Sequence, residues 1–278
     1  MKNIELEPLS ELSTWRKVAA VAWDSPYQAA ILGQLPVRAE PLEAYIASER
    51  ERTGQRITLT HCVARAVAVV LRRYPDANAF PRLGGLYRRK QVNVFLQVAL
   101  QTSERLGKVD LSGVLVREAD TLTVSEIAEQ VAARAAKLRA GNDQAFQQTK
   151  DQMRGMPAFV LRRLLRVLQV VQYEFNLDTS FLGTPGDPFG SALVTSMGMF
   201  DVPVAWAPFM PLARTPLIVC IGAVRDEPVV QDGEVVAGRV FRLQATIDHR
   251  VLDGVQAARL SQGIATLLAN PETLNDTP

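Results

Sequence analysis

Residues 240–268 read VFRLQATIDHRVLDGVQAARLSQGIATLL, and the period of the pattern changes partway along. Phe241, Leu243, Ala245 and Ile247 alternate with Arg242, Gln244 and Thr246, the two-residue period of a half-buried strand. Ala257, Leu260, Ile264 and Leu267 then recur at spacings of three and four, the period of an amphipathic helix, and Asn270-Pro271 stops it. Between strand and helix lies a polar corner of Asp248, His249, Arg250, Asp253 and Gly254. A titratable side chain at such a junction is held by rigid elements on either side, which suits chemistry.

His249 is one of only two histidines in the chain, the other being His61. A step that needs a base near neutral pH has only these two unperturbed candidates. His61 falls inside the helical apolar pattern of Val63, Val67, Val70 and Tyr74, so a packed or surface helix histidine is the better reading there. For His249 two readings stand side by side: a turn histidine satisfied by Asp248 or Asp253, or a general base. Cys62 on an apolar helix and Cys220 in the run LIVCIGAV read as core residues, since nothing local would lower either thiol's pKa.

Working outward, Pro216–Val224 is a continuous apolar run, the pattern of a central strand buried on both faces. Asp232-Gly233 marks a hairpin turn that feeds the strand before His249. Val92, Val94, Leu96, Val98 and Leu100 alternate as a strand, followed by a strand pair or strand–turn over 107–120. Residues 26–40 hold an extended apolar piece, and 75–90 are turn-rich. Helices are expected over Ser13–Trp23, Pro41–Arg52 and Thr58–Tyr74. Thr123-Val124-Ser125-Glu126 is a capping box that opens another helix. Leu161, Leu164, Leu168 and Val171 stripe a further helical stretch, with Arg162, Arg163 and Arg166 on its basic face. Three roles compete for it: an extra helix packed on the domain or a neighbour, a lid over an acyl pocket, or a membrane-surface helix. The first is preferred.

Composition sets limits. A chain of 278 residues, 47% hydrophobic and 22% charged with a net charge of +2, is ordinary for a globular protein. No Lys/Arg-rich run with interleaved aromatics points to nucleic acid. No apolar run is long enough to span a bilayer, and the start MKNIELEPL lacks the features of a secretion signal, so a cytoplasmic location is expected. Two cysteines cannot build a metal cluster or a disulfide framework, and no metal is expected.

The run Asp248-His249-Arg250-Val251-Leu252-Asp253-Gly254 resembles the active-site signature of the dihydrolipoamide acyltransferase catalytic domain. It is also similar to the His-x-x-x-Asp-Gly motif of chloramphenicol acetyltransferase, which shares that fold. Val194-Thr195-Ser196-Met197-Gly198-Met199-Phe200 resembles the family's Ile-Ser-Asn-Leu-Gly-Met-Phe run, and Asn78-Ala79 its Asn-Ala after the equivalent helix. The resemblance implies an α/β fold: a mixed sheet with helices packed on one face, in a single domain over 1–278. The helical stretch at 150–176 is then expected to be an insertion, and no lipoyl or subunit-binding domain is expected within these residues. It implies a CoA-dependent acyltransferase with His249 as general base, acyl-CoA as substrate and no covalently bound lipoyl group. Thr195, or Ser196 beside it, would support the tetrahedral intermediate, with Thr184 or Ser191 as substitutes. Arg16, otherwise a solvated basic residue at a helix start, would pair with Asp253, while Asp248 and Arg250 steady the corner. The resemblance further implies a homotrimer, or an assembly of trimers, with His249 from one subunit meeting Thr195 of the next. The acceptor would be a small molecule or a carrier-bound group. The competing class is an inactive scaffold that keeps the fold alone.

Overall fold

The computed structural model describes residues 2–8, 29–101, 109–139, 157–180, 186–209 and 213–276. In chain order it forms β1 (Leu6–Pro8), β2 (Ala30–Arg38), α1 (Glu40–Thr53), α2 (Leu59–Arg73), β3 (Ala79–Arg82), β4 (Gly85–Arg89), β5 (Val94–Gln101) and β6 (Val109–Val116). There follow α3 (Val124–Arg139), α4 (Ala158–Gln169), β7 (Ala192–Ser196), β8 (Leu217–Ile221), β9 (Arg225–Gln231), β10 (Glu234–Asp248) and α5 (Gly254–Ala269).

The main sheet has the order β2-β10-β8-β7-β5-β6, with β9 paired to the first half of β10. β8 runs parallel to β7 and β7 to β5, while β10 is antiparallel to both of its neighbours in that order. The sheet is therefore mixed, as expected. All five residues of β8 are buried, which is the reason for its unbroken apolar run. Pro36 sits on β2, an edge strand, where a missing N–H costs no ladder bond. Asp232 and Gly233 take φ of 53° and 85° at the β9–β10 turn, the left-handed pair that a tight hairpin needs.

The helices cover one face. α2 is buried almost all round, from His61 to Leu71, because it lies between the sheet and its helical neighbours. The opposite face carries a smaller apolar cluster of Leu193, Phe209 and Ile218 with Phe95 and Phe189. The Phe95 ring lies over Gly113 of β6, and a Cβ there would clash with it. Arg65, only 2% exposed, donates to the carbonyls of Leu274, Ala119, Asp120 and Asp276, which ties the end of the described chain to the core. The Thr123–Glu126 capping box forms as expected.

One feature was not foreseen in the sequence reading. The turn-rich region 75–90 holds a hairpin, β3–β4, which β1 joins to make a separate three-stranded sheet. Pro81, Gly84 and Gly85 hid it, because turn residues dominate so short a pair. Of the two alternatives for 107–120, the described part from 109 on is the strand–turn: β6 followed by a turn. Ser13–Trp23 lies outside the described residues, as do 150–156 of the extra helical stretch. The rest of that stretch forms α4 and a π-turn over Val170–Glu174. Its far end is fastened by the buried pair Arg89–Asp187, with the Tyr173 hydroxyl donating to Asp187 Oδ1 at 3.0 Å.

Candidate active site

The polar corner is built in three layers. Asp248 ends β10 and accepts from the Arg250 backbone N–H at 3.0 Å and from its guanidinium at 2.8 and 3.0 Å. Both side chains of that pair are 6% exposed, so the ion pair is desolvated and rigid. Asp253 caps α5: its carboxylate accepts from Gln256 N–H at 2.8 Å, and the Gln256 side chain accepts from Asp253 N–H at 3.1 Å. His249 stands between these two fixed points, half-buried, with its own N–H donating to the Ala29 carbonyl at 2.7 Å.

The His249 ring has Nδ1 2.7 Å from the Leu252 carbonyl oxygen. A carbonyl can only accept, so the neutral ring keeps its proton on Nδ1. Nε2 is left with the lone pair, the arrangement a general base needs. The turn's own backbone sets this tautomer. Neither Asp248 nor Asp253 does, because both carboxylates are engaged elsewhere. Asp253 has work as a helix cap irrespective of Arg16, which lies outside the described residues.

Thr195 and Ser196 end β7. Alternation puts Thr195 on the face of Leu193, away from the helices, and Ser196 on the helix face with Val194. Ser196 Oγ accepts from Gly198 N–H at 3.3 Å. Thr195 is 7% exposed, and its hydroxyl meets no partner among the described residues. Accepting from Gly198 leaves the Ser196 O–H able to donate, so both hydroxyls keep a donor for a ligand. Ser191 is used structurally: it is fully buried, and its Oγ accepts from Asn93 N–H at 3.0 Å. Thr184 lies outside the described residues.

The corner and the β7 end are not together in one chain. Thr195 pairs with Cys220, which pairs with Gln244, and His249 follows five residues later along β10. At a rise of about 3.4 Å per residue, that is roughly 17 Å along the sheet. One copy cannot bring the imidazole to the hydroxyl.

Beside the β7 end lies a cleft of about 1090 Å³ walled by α1, α2 and α3 and the turns after β7 and β8. His61, Arg50 and Arg56 line it, which the sequence reading missed. The available signal was spacing: Thr58 to His61 is the interval from a helix cap to the third helical residue. His61 Nδ1 accepts from Thr58 N–H at 3.3 Å. Burial and the nearby Arg50 and Arg56 charges bring its pKa down to about 4. Burial pushes the Cys220 thiol up to about 11 and Cys62 up to about 12, so both are poor nucleophiles at neutral pH. Among the described residues there is no cluster of three or more His, Cys, Asp or Glu able to hold a metal, and no helix is long and apolar enough to cross a membrane.

The family model for 2-oxoacid dehydrogenases acyltransferase (catalytic domain) matches residues 29–154 and 189–275. A Bacillus subtilis dihydrolipoyllysine-residue acetyltransferase component of an acetoin cleaving system is 27% identical over 226 residues, 81% of this chain and 44% of that protein. The Staphylococcus aureus counterpart of the pyruvate dehydrogenase complex is 26% identical over 231 residues, 82% of this chain and 42% of that one. The chain thus spans under half the length of these relatives. Among solved structures, a probable dihydrolipoamide acetyltransferase from Listeria monocytogenes superposes with a TM-score of 0.63 at 18% identity, covering 95% of each chain. A chloramphenicol acetyltransferase superposes at 0.52 with 9% identity, covering 95% of this chain and 100% of that one. At these identities the superpositions speak to the fold, while the family match, which takes in the His249 corner and the Thr195 strand end, speaks to descent. The chain belongs to the family of 2-oxoacid dehydrogenase acyltransferase catalytic domains.

Proposed function

We propose that this domain transfers an acyl group between CoA and a thiol, hydroxyl or amine acceptor, in a site shared by two copies of the chain. The observation that carries the reading is the Nδ1–H to Leu252 carbonyl bond, which fixes the tautomer that has its lone pair on His249 Nε2, the form a base needs. His249 takes the proton from the acceptor as the acceptor attacks the thioester carbonyl. Thr195, from a neighbouring copy, donates its hydroxyl to the oxyanion that forms. One such donor is typically worth roughly 3–4 kcal/mol of barrier. The tetrahedral intermediate collapses with loss of the CoA thiolate, and His249 returns the proton to that sulfur. Asp248 and Arg250 keep the corner rigid, and Asp253 anchors it to α5. We assign Arg16 the pairing with Asp253 that the family resemblance suggests.

The separation of His249 from Thr195 within one chain favours a closed ring of subunits, each giving its corner to the next, and a homotrimer satisfies this. The relatives are named for transfer to a dihydrolipoyllysine residue. Here the acceptor is either a lipoyl group on a partner protein or a small molecule. We read residues 150–176 as an insertion, in keeping with the gap from 155 to 188 in the family match.

Turnover of an acyl-CoA panel by the wild type and by His249→Ala tests the assignment. Rapid transfer that collapses in the variant supports it. Equal rates in both, or no turnover by either across the panel, leaves an acyltransferase-like scaffold without activity.

A further inference from the structure

We propose that α4 docks the protein on an anionic membrane surface, with Phe159, Val160, Val167 and Val170 in the lipid at headgroup depth and Arg163 and Arg166 on the phosphates. The inference rests on this helix and does not depend on acyl transfer.

Burial is the first argument. A helix that serves only as extra packing hides an apolar stripe against its own domain. Among the described side chains of α4 none is buried: Leu164, Leu165 and Leu168 are half-covered, while Phe159 is 73% and Val167 58% exposed. The chain that leaves the helix exposes Phe175 and Leu177 as well. Yet the element is firmly mounted, because Gln172 and Tyr173 of the π-turn are buried and the Tyr173 hydroxyl donates to Asp187. A fixed helix that presents this much apolar surface marks an interaction site.

The arrangement of charge says what covers it. At roughly 100° per residue, Arg166, Phe159, Val170, Arg163, Val167 and Val160 follow one another within about 120° of arc. Cations and apolar groups are therefore interleaved on one exposed face, and the partner must offer hydrocarbon and negative charge at the same depth. An anionic bilayer interface does so, since lipid phosphates lie against the acyl boundary and arginine stems can stay in the apolar layer. A symmetric contact with a second copy does not, because the same arginines would meet. Residues 152–173 hold four arginines and no acid to separate them. Arg163 and Arg166 form no ion pair among the described residues, and Glu174, the next acid, is taken by Arg214 and the Leu83 N–H. Exposed Lys2, bridged to Leu177 through the backbone, adds a further cation beside the strip.

Flotation of the full chain with vesicles tests this, using phosphatidylcholine alone and an equal mixture of phosphatidylcholine and phosphatidylglycerol. The protein should float with the mixed vesicles, remain in solution with phosphatidylcholine, and be released by high salt. Arg163→Gln with Arg166→Gln should weaken binding roughly thirtyfold, the usual effect of losing two basic residues near an anionic surface. Phe159→Ser with Val167→Ser should weaken it by roughly tenfold or more, and these side chains are exposed, so the fold does not need them. A solvent-sensitive fluorophore on Phe159→Cys, where the native Cys62 and Cys220 are buried, should shift to the blue on mixed vesicles only. Failure to float with the mixed vesicles at low salt overturns the proposal, as does binding that ignores the arginine pair. A fall in assembly mass in Phe159→Ser with Val167→Ser also overturns it and gives the face to a second copy. Capture of polyglutamate but not of vesicles overturns it in favour of an acidic protein partner. His249→Ala should float as the wild type does, so loss of transfer and loss of docking are separate results.

Discussion

The two histidines stand at opposite ends of one sheet and are wired in opposite senses. At the β10 corner a carbonyl faces Nδ1 of His249, so Nδ1 holds the proton and Nε2 is a base. At the start of α2 a backbone N–H faces Nδ1 of His61, so Nε2 holds the proton and can only donate. Identical side chains thus carry reciprocal chemistry, and one backbone group three residues away decides each case. A histidine count finds both, but only the partner of Nδ1 tells the base from the donor.

The contrast breaks most sharply by removing the base. His249→Ala should lower kcat roughly a thousandfold, within the range for a positioned general base, with an unchanged circular dichroism spectrum. A loss of only a few-fold would mean that the corner tautomer is incidental. Asp248→Ala tests the corner as structure: it strands the Arg250 guanidinium in a desolvated site and should cost roughly 3–5 kcal/mol in urea unfolding. A cost under 1 kcal/mol would mean that water reaches the pair. Thr195→Val removes the hydroxyl but keeps the shape, and should raise the barrier by roughly 3–4 kcal/mol, with Thr195→Ser retaining most activity. Because base and hydroxyl belong to different copies, refolding His249→Ala and Thr195→Val chains together should restore about a quarter of wild-type turnover, the share of subunit pairs that match two intact partners. If the mixture stays as inactive as its parents, the site is not shared.

Much of this was legible in the sequence, for physical reasons. The period change from two to three-and-four located β10 and α5, because a half-buried strand and a helix on the core both enforce apolar spacing. The unbroken run of β8 announced a strand covered on both faces. Sequence could not give the pairing of Thr195 with Cys220 and of Cys220 with Gln244, and so could not measure how far His249 lies from Thr195. The short sheet β1-β4-β3 was hidden as well, since three- to five-residue strands leave too few alternations to detect. His61 was read as a packed or surface helix histidine on a helix starting at Thr58, and it is a packed one; its hydrogen bond from Thr58 N–H was not foreseen, because Val63, Val67 and Val70 drew the reading to the apolar pattern. Its neighbours Arg50 and Arg56 belong to a different helix and a loop, so no linear window joins them into one site.

His61 also offers the finest test of the contrast, through stability. Its folded pKa of about 4 lies below the ordinary 6.5, so between those values the unfolded chain binds the extra proton and the folded one refuses it. Stability is therefore complete above pH 6.5, declines as pH falls towards 4, and changes no further from this group below that. The shift corresponds to about 3 kcal/mol, at 1.36 kcal/mol per pKa unit. His61→Gln keeps an acceptor for Thr58 N–H, as a capping box allows, but cannot titrate. Urea unfolding at pH 7 and pH 4.5 should show the wild type losing more stability between the two than the variant, by up to that amount. Identical pH dependence in the two proteins would mean that the ring is charged and solvated in the folded state. It could not then be the neutral, inward donor that distinguishes this end of the sheet from the His249 corner.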